Sequence, residues 1–138
     1  MGQLLVRMLS EFRAELLAGI VAAGLNEARL PHLQVLGNIG AEGVRLTDLA
    51  ARAAMTKPSM AELVDELEAN GYVQRRPDPT DGRAKLISLT DEGWKAIKLA
   101  RSVVTDIERD YAGRIGARRF EELCWIMQDL LDDFKSDR

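Results

Sequence analysis

The spacing of apolar residues changes at Gly71, and this change restricts the folds that the chain can adopt. Before Gly71, apolar residues recur at intervals of three and four, which is the helical period: Met60, Leu63, Val64 and Leu67. After it, Tyr72–Arg76 and Arg83–Leu89 have the pattern of strands, and the turn-forming residues 77–82 join them. The sequence therefore predicts a helix that is followed at once by a β-hairpin with a protruding tip.

A second helix and a tight turn precede this helix. Thr47 is predicted to cap a short helix that runs through Ala53, and residues 54–56 connect it to the next one. Pro58 suits the first turn of that next helix, because a missing N–H costs no hydrogen bond there. Asn70 and the glycine after it are typical of a helix C-terminus. Two helices joined by a tight turn and followed by a hairpin form a winged helix-turn-helix.

Longer helices are predicted on both sides of this unit. Residues 4–25 form the first, ended by Leu25 and Asn26, and a shorter helix opened by Pro31 runs to residue 37 or 40. Thr90 caps a long helix whose predicted buried stripe is Trp94, Ile97, Val104, Ile107, Tyr111 and Ile115. Beyond a break at Gly116, a last helix carries an apolar stripe of Phe120, Leu123, Met127, Leu130 and Phe134.

The apolar stripes of the first and last helices predict dimerisation, because a monomer would expose them as one large apolar patch. The predicted fold is mostly α with a small β-hairpin wing: a winged helix-turn-helix with N- and C-terminal dimerisation helices. We assign residues 1–30 and 90–138 to the helical dimerisation region and residues 31–89 to the DNA-binding region, within a single compact domain of 138 residues.

Composition excludes several classes of function. One cysteine rules out an intrachain disulfide, and with one histidine it leaves too few ligands for a zinc site, so we predict no metal and no cofactor. No nucleophile–base set or glycine-rich phosphate loop indicates an enzyme. No apolar run approaches the ~20 residues of a membrane span, and acidic residues before the run 16–26 argue against a signal peptide. We expect a cytoplasmic protein.

Overall charge argues against nucleic-acid binding, but the charge of the central segment does not. The net charge is −3, and the isoelectric point is about 5.3. Residues 45–85 nevertheless contain as many basic as acidic side chains, so the negative balance comes from the flanking segments.

Two short motifs resemble one protein family. The segment DPTDGRA, Asp78–Ala84, is followed five residues later by LTDEG, Leu89–Gly93. Together with the preceding helices, residues 46–93 resemble the multiple-antibiotic-resistance regulator (MarR) family. The resemblance implies a homodimer whose first and last helices intertwine, and a bacterial or archaeal transcriptional regulator that binds a pseudo-palindromic DNA duplex. It also implies an effector, because many members release DNA when a small phenolic or lipophilic molecule binds.

The resemblance assigns residues to DNA binding. Asp81 and Arg83 match the Asp-x-Arg of the family's wing, in which the aspartate orients an arginine that enters the minor groove. A narrow minor groove concentrates negative potential and so attracts a guanidinium group. Phosphate contacts are expected from the remaining donors on the helix and hairpin, together with Arg83: Lys57, Ser59, Arg75, Arg76 and Lys85.

The second helix departs from the family pattern. Relatives commonly carry basic residues at the positions of Glu62 and Glu66, and Asp65 lies on the same exposed side. These carboxylates would repel phosphates, unless Glu62 accepts a hydrogen bond from a cytosine amino group. An alternative hypothesis is therefore a winged-helix adaptor that binds proteins and has lost or weakened DNA binding.

The family's effector cavity borders the helix that contains His32, and we predict that His32, Phe12 and Leu36 bind the effector. An alternative for His32 is a plain interfacial histidine. Cys124 shares the apolar stripe of the last helix, so we predict a buried structural thiol rather than an oxidant sensor.

Overall fold

The computed structural model describes residues 1–25 and 29–136. Over these residues, helices and strands follow in the order α1 (Gly2–Ala22), α2 (Leu30–Gly37), α3 (Leu46–Arg52), α4 (Lys57–Ala69), β1 (Val73–Asp78), β2 (Asp81–Leu89), α5 (Asp91–Ile115) and α6 (Ala117–Ser136). The predicted fold class, mostly α with a two-stranded hairpin, is confirmed.

The first helix ends earlier than predicted. α1 ends at Ala22, because Gly24 turns the chain with a φ of +101°, a conformation that glycine adopts without a steric penalty. The Gly24 N–H donates to the carbonyl of Val21 at 3.0 Å and closes the last turn. Asn26, which we predicted to end the helix together with Leu25, lies outside the described residues.

The two helices of the helix-turn-helix begin differently from each other. Thr47 does not cap α3, as predicted, because the helix already begins at Leu46 and the capping position is Arg45. Thr56 caps α4: its Oγ1 accepts the N–H of Ser59 at 3.3 Å, and Pro58 lies in the first turn as predicted. Asn70 ends α4, also as predicted.

The hairpin is tighter than the sequence predicted. β1 and β2 pair antiparallel up to the partners Asp78 and Asp81, so only Pro79 and Thr80 remain at the tip. We predicted a loop over residues 77–82, but a bulge at Pro77 and Asp78 brings these turn-forming residues into the strands. Val44, in the predicted break, exchanges two backbone hydrogen bonds of 2.8–2.9 Å with Ile87 and forms a bridge at the other edge of β2.

Two apolar clusters hold these elements together. The larger one joins α2, α3, α4 and the hairpin through the fully buried Leu49, Met60, Val64 and Leu67. The smaller one packs α1 against α5 around Ile20, Val103 and Ile107. The helix-turn-helix and the hairpin therefore share one core, and α5 connects it to α1.

The terminal helices have broad exposed apolar faces. No residue of α6 is buried, and Trp125, Ile126 and Phe134 are each more than half exposed. Cys124 is likewise exposed, so the prediction of a buried thiol is wrong for a single chain, in which α6 packs mainly beside α5. On α5, Ile97 and Ile107 are buried as predicted. Trp94 and Ile115 are exposed, contrary to the prediction, and the buried face uses Gly93, Ala96 and Val103 as well.

The glycine of the LTDEG motif has a steric explanation. A Cβ atom at Gly93 would lie 2.1 Å from the carbonyl oxygen of Tyr72, which connects α4 to β1. The same carbonyl accepts the N–H of Thr90 at 3.1 Å, and Thr90 Oγ1 donates to the carbonyl of Gly71 at 2.5 Å. Thr90 also caps α5 as predicted, by accepting the N–H of Gly93 at 3.1 Å. The contacts of Gly93 and Thr90 with residues 71 and 72 fix the start of α5 against the base of the hairpin.

We expect Gly93→Ala to lower the free energy of unfolding by about 1–3 kcal/mol, because backbone must move to admit the methyl group. Gly113→Ala is the matched control in the same helix: nothing lies within 4 Å of its Cβ position. It should stabilise the protein by up to about 1 kcal/mol through helix propensity. Urea denaturation measures both variants, and equal stabilities would contradict the steric explanation.

Candidate nucleic-acid interface

The helix α4 buries one face and exposes the other. Met60, Val64 and Leu67 are fully buried, whereas Glu62 is exposed on the opposite side and Lys57 is exposed in the first turn. Ser59 is exposed too, and its hydroxyl accepts a hydrogen bond from Thr56 Oγ1 at 2.9 Å, which makes it part of the helix cap. Lys57 and Ser59 therefore lie in the first turn, where N–H groups and the helix dipole favour an anion such as a phosphate.

Two of the carboxylates on α4 bind Arg75 of β1. Arg75 Nη2 lies 2.7 Å from Asp65 Oδ1, and Nη1 lies 2.9 Å from Glu68 Oε1. The Arg75 N–H also donates to Glu68 Oε2 at 3.2 Å. The guanidinium group is thus shared by two acidic side chains and is only 25% exposed. These ion pairs connect the helix to the hairpin and reduce the negative charge that α4 presents.

Glu66 is directed towards α2 rather than towards the exposed side of α4. Its Oε2 lies 2.6 Å from Nε2 of His32 and also accepts a hydrogen bond from Arg29. The hydrogen bond from His32, followed by the one from Arg29, lowers the pKa of Glu66. The expectation that Glu66 faces a phosphate backbone is therefore wrong, because buried His32 and the start of α2 hold its carboxylate.

Glu62 differs from the other carboxylates of α4. It is exposed, and among the described residues it makes no hydrogen bond or ion pair. Asp65, Glu66 and Glu68 each have a basic partner, although Arg75 offsets only one of its two carboxylates. Glu62 is thus the one carboxylate of α4 without a basic partner among the described residues.

Asp78 anchors the tip of the hairpin. Its Oδ2 accepts hydrogen bonds from Nε and Nη2 of Arg45 at 2.9 and 2.7 Å, and its Oδ1 accepts the N–H and hydroxyl of Thr80, both at 2.8 Å. The residue is only 7% exposed. These four donors, those of Thr80 first, lower the pKa of Asp78 to about 2. The contact joins the tip of the hairpin to the residue that precedes α3.

The remaining wing residues are exposed. The Asp81 carboxylate accepts the backbone N–H of Arg83 at 3.0 Å, so it orders the backbone from which the Arg83 side chain extends. Arg83 and Lys85 are both exposed on β2. Arg76 is also exposed, but it donates to the carbonyl of Glu42 at 2.7 Å and so supports the turn before Val44. Whether these side chains contact DNA stays a prediction.

Sequence reasoning missed Arg45 and Thr80 as partners of Asp78. A partial signal was present, since an Asp two residues before a Thr in a Pro-rich turn is typical of a side-chain-stabilised turn. Arg45 lies 33 residues away along the chain, and no local pattern identifies a contact of that kind.

A second candidate site is a cavity of about 890 Å³ between α1, α2 and α5. Its wall is largely apolar and includes Phe12, Leu33 and Val104, whereas Arg13 and Arg101 contribute positive charge. Of the three predicted effector residues, Phe12 lines this cavity. Leu36 is instead buried in the larger core, and His32 contacts Glu66, so neither belongs to the cavity wall.

Other kinds of site have no support in the described part of the chain. Residues 1–25 and 29–136 contain no group of three or more His, Cys, Asp or Glu side chains that can hold a metal ion. Over the same ranges, the helices are too short or too polar for any of them to cross a membrane.

A helix-turn-helix with an antiparallel hairpin behind its second helix defines the chain as a winged-helix protein of the DNA-binding class. The model of the MarR family matches residues 23–84. The transcriptional regulator HosA of Escherichia coli is 27% identical over 90 residues, which are 65% of this chain and 67% of HosA.

Solved structures extend the similarity over nearly the whole chain. CouR from Rhodococcus jostii, bound to p-coumaroyl-CoA, is 30% identical with a TM-score of 0.73, and the match covers 94% of this chain and 90% of CouR. A mutant of MarR from E. coli in complex with operator DNA has a TM-score of 0.76 at 20% identity, over 94% of this chain and 92% of that one, and shares the fold. The chain belongs to the MarR family and is a DNA-binding transcriptional regulator.

We expect the Asp78 contact to make stability depend on pH in the acid range. Because the pKa of Asp78 in the folded protein, about 2, is below its ordinary value of 3.8, ionised Asp78 stabilises the fold fully above pH 3.8. This contribution is lost as the pH falls through 2. Asp78→Asn should therefore be less stable than the wild type at pH 6, and the difference should shrink towards pH 2.

Urea denaturation between pH 2 and pH 6 measures this difference. Asp106→Asn is the control, since it removes an exposed ion pair with Arg109 that contributes little. A difference between Asp78→Asn and wild type that stays constant across this range would show that the charge of Asp78 does not anchor the tip.

Proposed function

We propose that the chain forms a homodimer that binds a pseudo-palindromic operator and represses transcription. In this proposal α4, the recognition helix, enters the major groove, and the hairpin places Arg83 in the adjacent minor groove. The observation that carries the proposal is the wing. Asp78 fixes its two-residue tip to Arg45, and Asp81 orders the backbone from which exposed Arg83 extends.

The exposed apolar faces of α1 and α6 support the dimer. Leu4 and Val6 of α1 are 65% and 69% exposed, and α6 exposes Trp125, Ile126 and Phe134. A second copy that covers both helices would remove this surface from water. The two recognition helices would then contact half-sites about one helical turn, ~34 Å, apart. Binding to the chromosome also places the proposed activity in the cytoplasm.

The adaptor hypothesis rested on acidic residues of α4, and most of these have partners within the chain. Asp65 binds Arg75, and Glu66 binds His32 and Arg29. Only the exposed Glu62 still supports that hypothesis. We therefore favour a protein that binds DNA without catalytic activity, with phosphate contacts from Lys57, Ser59, Arg75, Arg76, Arg83 and Lys85.

The cavity between α1, α2 and α5 supports an effector. Its volume of about 890 Å³ lies within the range of ~300–1,000 Å³ for small-molecule sites. We propose that the effector is a small phenolic or lipophilic molecule whose apolar body contacts Phe12. Arg13 and Arg101 form no ion pair within the described residues, so they favour a ligand that also carries an anionic group.

Selection of genomic DNA fragments by the purified protein, followed by sequencing, tests the regulator against the adaptor. Recovery of an inverted repeat supports the regulator. Recovery of protein partners in a parallel capture, with no enriched DNA, would support the adaptor instead. Light scattering at micromolar concentration tests the dimer, and a stable, well-folded monomer would contradict it.

We expect Arg83→Ala to weaken operator binding by about 1–3 kcal/mol, the size of one good contact to DNA. Arg109→Ala is the matched control, because it removes the same charge from an exposed site on α5. Affinities for the selected operator at two salt concentrations measure both variants. Equal affinity of Arg83→Ala and Arg109→Ala would show that Arg83 of the wing does not contact DNA.

Glu62→Gln distinguishes two roles of the unpaired carboxylate. If Glu62 only repels phosphates, the variant should bind operator and scrambled duplexes more tightly to the same extent. If Glu62 accepts a hydrogen bond from a cytosine, the variant should lose about 1–3 kcal/mol of discrimination at one base pair. Unchanged affinity for every duplex would show that Glu62 does not approach DNA.

A further inference from the structure

The short helix α2 lies between the effector cavity and the recognition helix. Leu30, Leu33 and Gln34 on one side of α2 line the cavity. On its other side, His32 contacts Glu66 of α4, and Val35 and Leu36 are buried in the core that also holds α4. Because α2 spans only eight residues, a displacement of its cavity side also moves the opposite side.

The contact between His32 and Glu66 is well placed to transmit such a displacement. The His32 side chain is 4% exposed, so the surrounding atoms leave its ring little room to rotate. If α2 moves, the ring therefore moves with the helix and cannot turn to keep its contact with Glu66. Its Nε2 lies 2.6 Å from the carboxylate, and Arg29, the residue that precedes α2, binds the same oxygen. A carboxylate in the middle of α4 is thus held by two residues from the start of α2.

We propose that His32 and Glu66 are positioning residues that couple the cavity to DNA binding. The pair holds the recognition helix in the orientation seen here, and a ligand that displaces α2 disturbs the hydrogen bond and thereby weakens operator binding. This inference rests on the effector and the operator proposed above. The new element is the pair of residues that connects the two sites.

Two substitutions of Glu66 isolate the hydrogen bond from the charge. Glu66→Gln and Glu66→Ala both remove the negative charge, but only glutamine keeps an oxygen that can accept from Nε2 of His32. Glu66 is 45% exposed, so neither change opens the core. Asp106→Ala is the control, because it also removes an exposed carboxylate, but one that pairs with Arg109 within α5.

The first measurement needs no ligand. The ratio of the affinities for the selected operator and a scrambled duplex should fall at least about fivefold in Glu66→Ala, because the helix loses its orientation. In Glu66→Gln and Asp106→Ala the ratio should stay within twofold of the wild type. A contact with a purely structural role would lower stability without changing this ratio for the folded protein, and that result would overturn the proposal.

The second measurement uses anilinonaphthalene sulfonate, an apolar anion whose fluorescence reports binding, as a probe of the cavity. Ala100→Trp, which fills the cavity, should abolish the fluorescence. Bound probe should weaken operator binding of the wild type and of Glu66→Gln by about fivefold or more, a typical coupling between two sites. In Glu66→Ala the probe should bind with unchanged affinity but alter operator binding less than twofold.

The outcomes separate this inference from the proposed function. Equal sensitivity of wild type and Glu66→Ala to the probe would overturn the coupling and leave the effector site intact. Bound probe without any effect on wild-type operator binding would also overturn the coupling. Fluorescence that persists in Ala100→Trp would contradict the cavity as the effector site, and failure of the wild type to select DNA would contradict the operator.

Discussion

The contact of Asp78 with Arg45 and Thr80 determines how the hairpin stands on the helix-turn-helix. The Asp78 carboxylate accepts hydrogen bonds from Thr80 at the tip of the hairpin and from Arg45 at the start of α3. Because the same residue closes the turn and binds the other element, the position of the tip does not depend on the hairpin alone. An isolated two-stranded hairpin is only marginally stable in water. The exposed Arg83 therefore extends from a surface that tertiary contacts hold in place.

Three of the four carboxylates on the recognition helix pair with basic side chains of the same chain. Arg75 lies between Asp65 and Glu68, and Glu66 lies against His32 and Arg29. The carboxylates of these pairs are 43–68% exposed, so each pair adds little to the free energy of unfolding. Their effect on function is larger, because they determine which charges face a polyanion. Glu62 alone among the carboxylates of α4 has no basic partner in the described residues, which makes it the point where the chain departs most from a basic DNA-binding surface.

The terminal helices and the cavity depend on the same arrangement. α5 packs on the main core at its start and on α1 at its middle, and α1, α2 and α5 together line the open cavity. The exposed stripes of α1 and α6 lie outside both cores. A partner that covers these stripes would thus hold α1, which also lines the cavity. The proposed dimer and the proposed effector site therefore share this helix.

The sequence by itself determined the order of the elements, the helix ends marked by Pro58, Asn70, Thr90 and Gly116, and the wing motif, because these depend on local backbone preferences and on hydrophobic period. It also showed which residues carry charge, but not which charges are paired. Tertiary structure alone decided that Arg45 binds Asp78, that Glu66 faces His32, and that Gly93 must lack a side chain beside Tyr72. Each of these contacts joins residues 21 or more positions apart, and periodicity carries no information over such separations. The exposure of Cys124 could not be predicted either. An apolar stripe on a helix indicates that this surface becomes buried, but the sequence does not indicate whether the same chain or a second chain buries it.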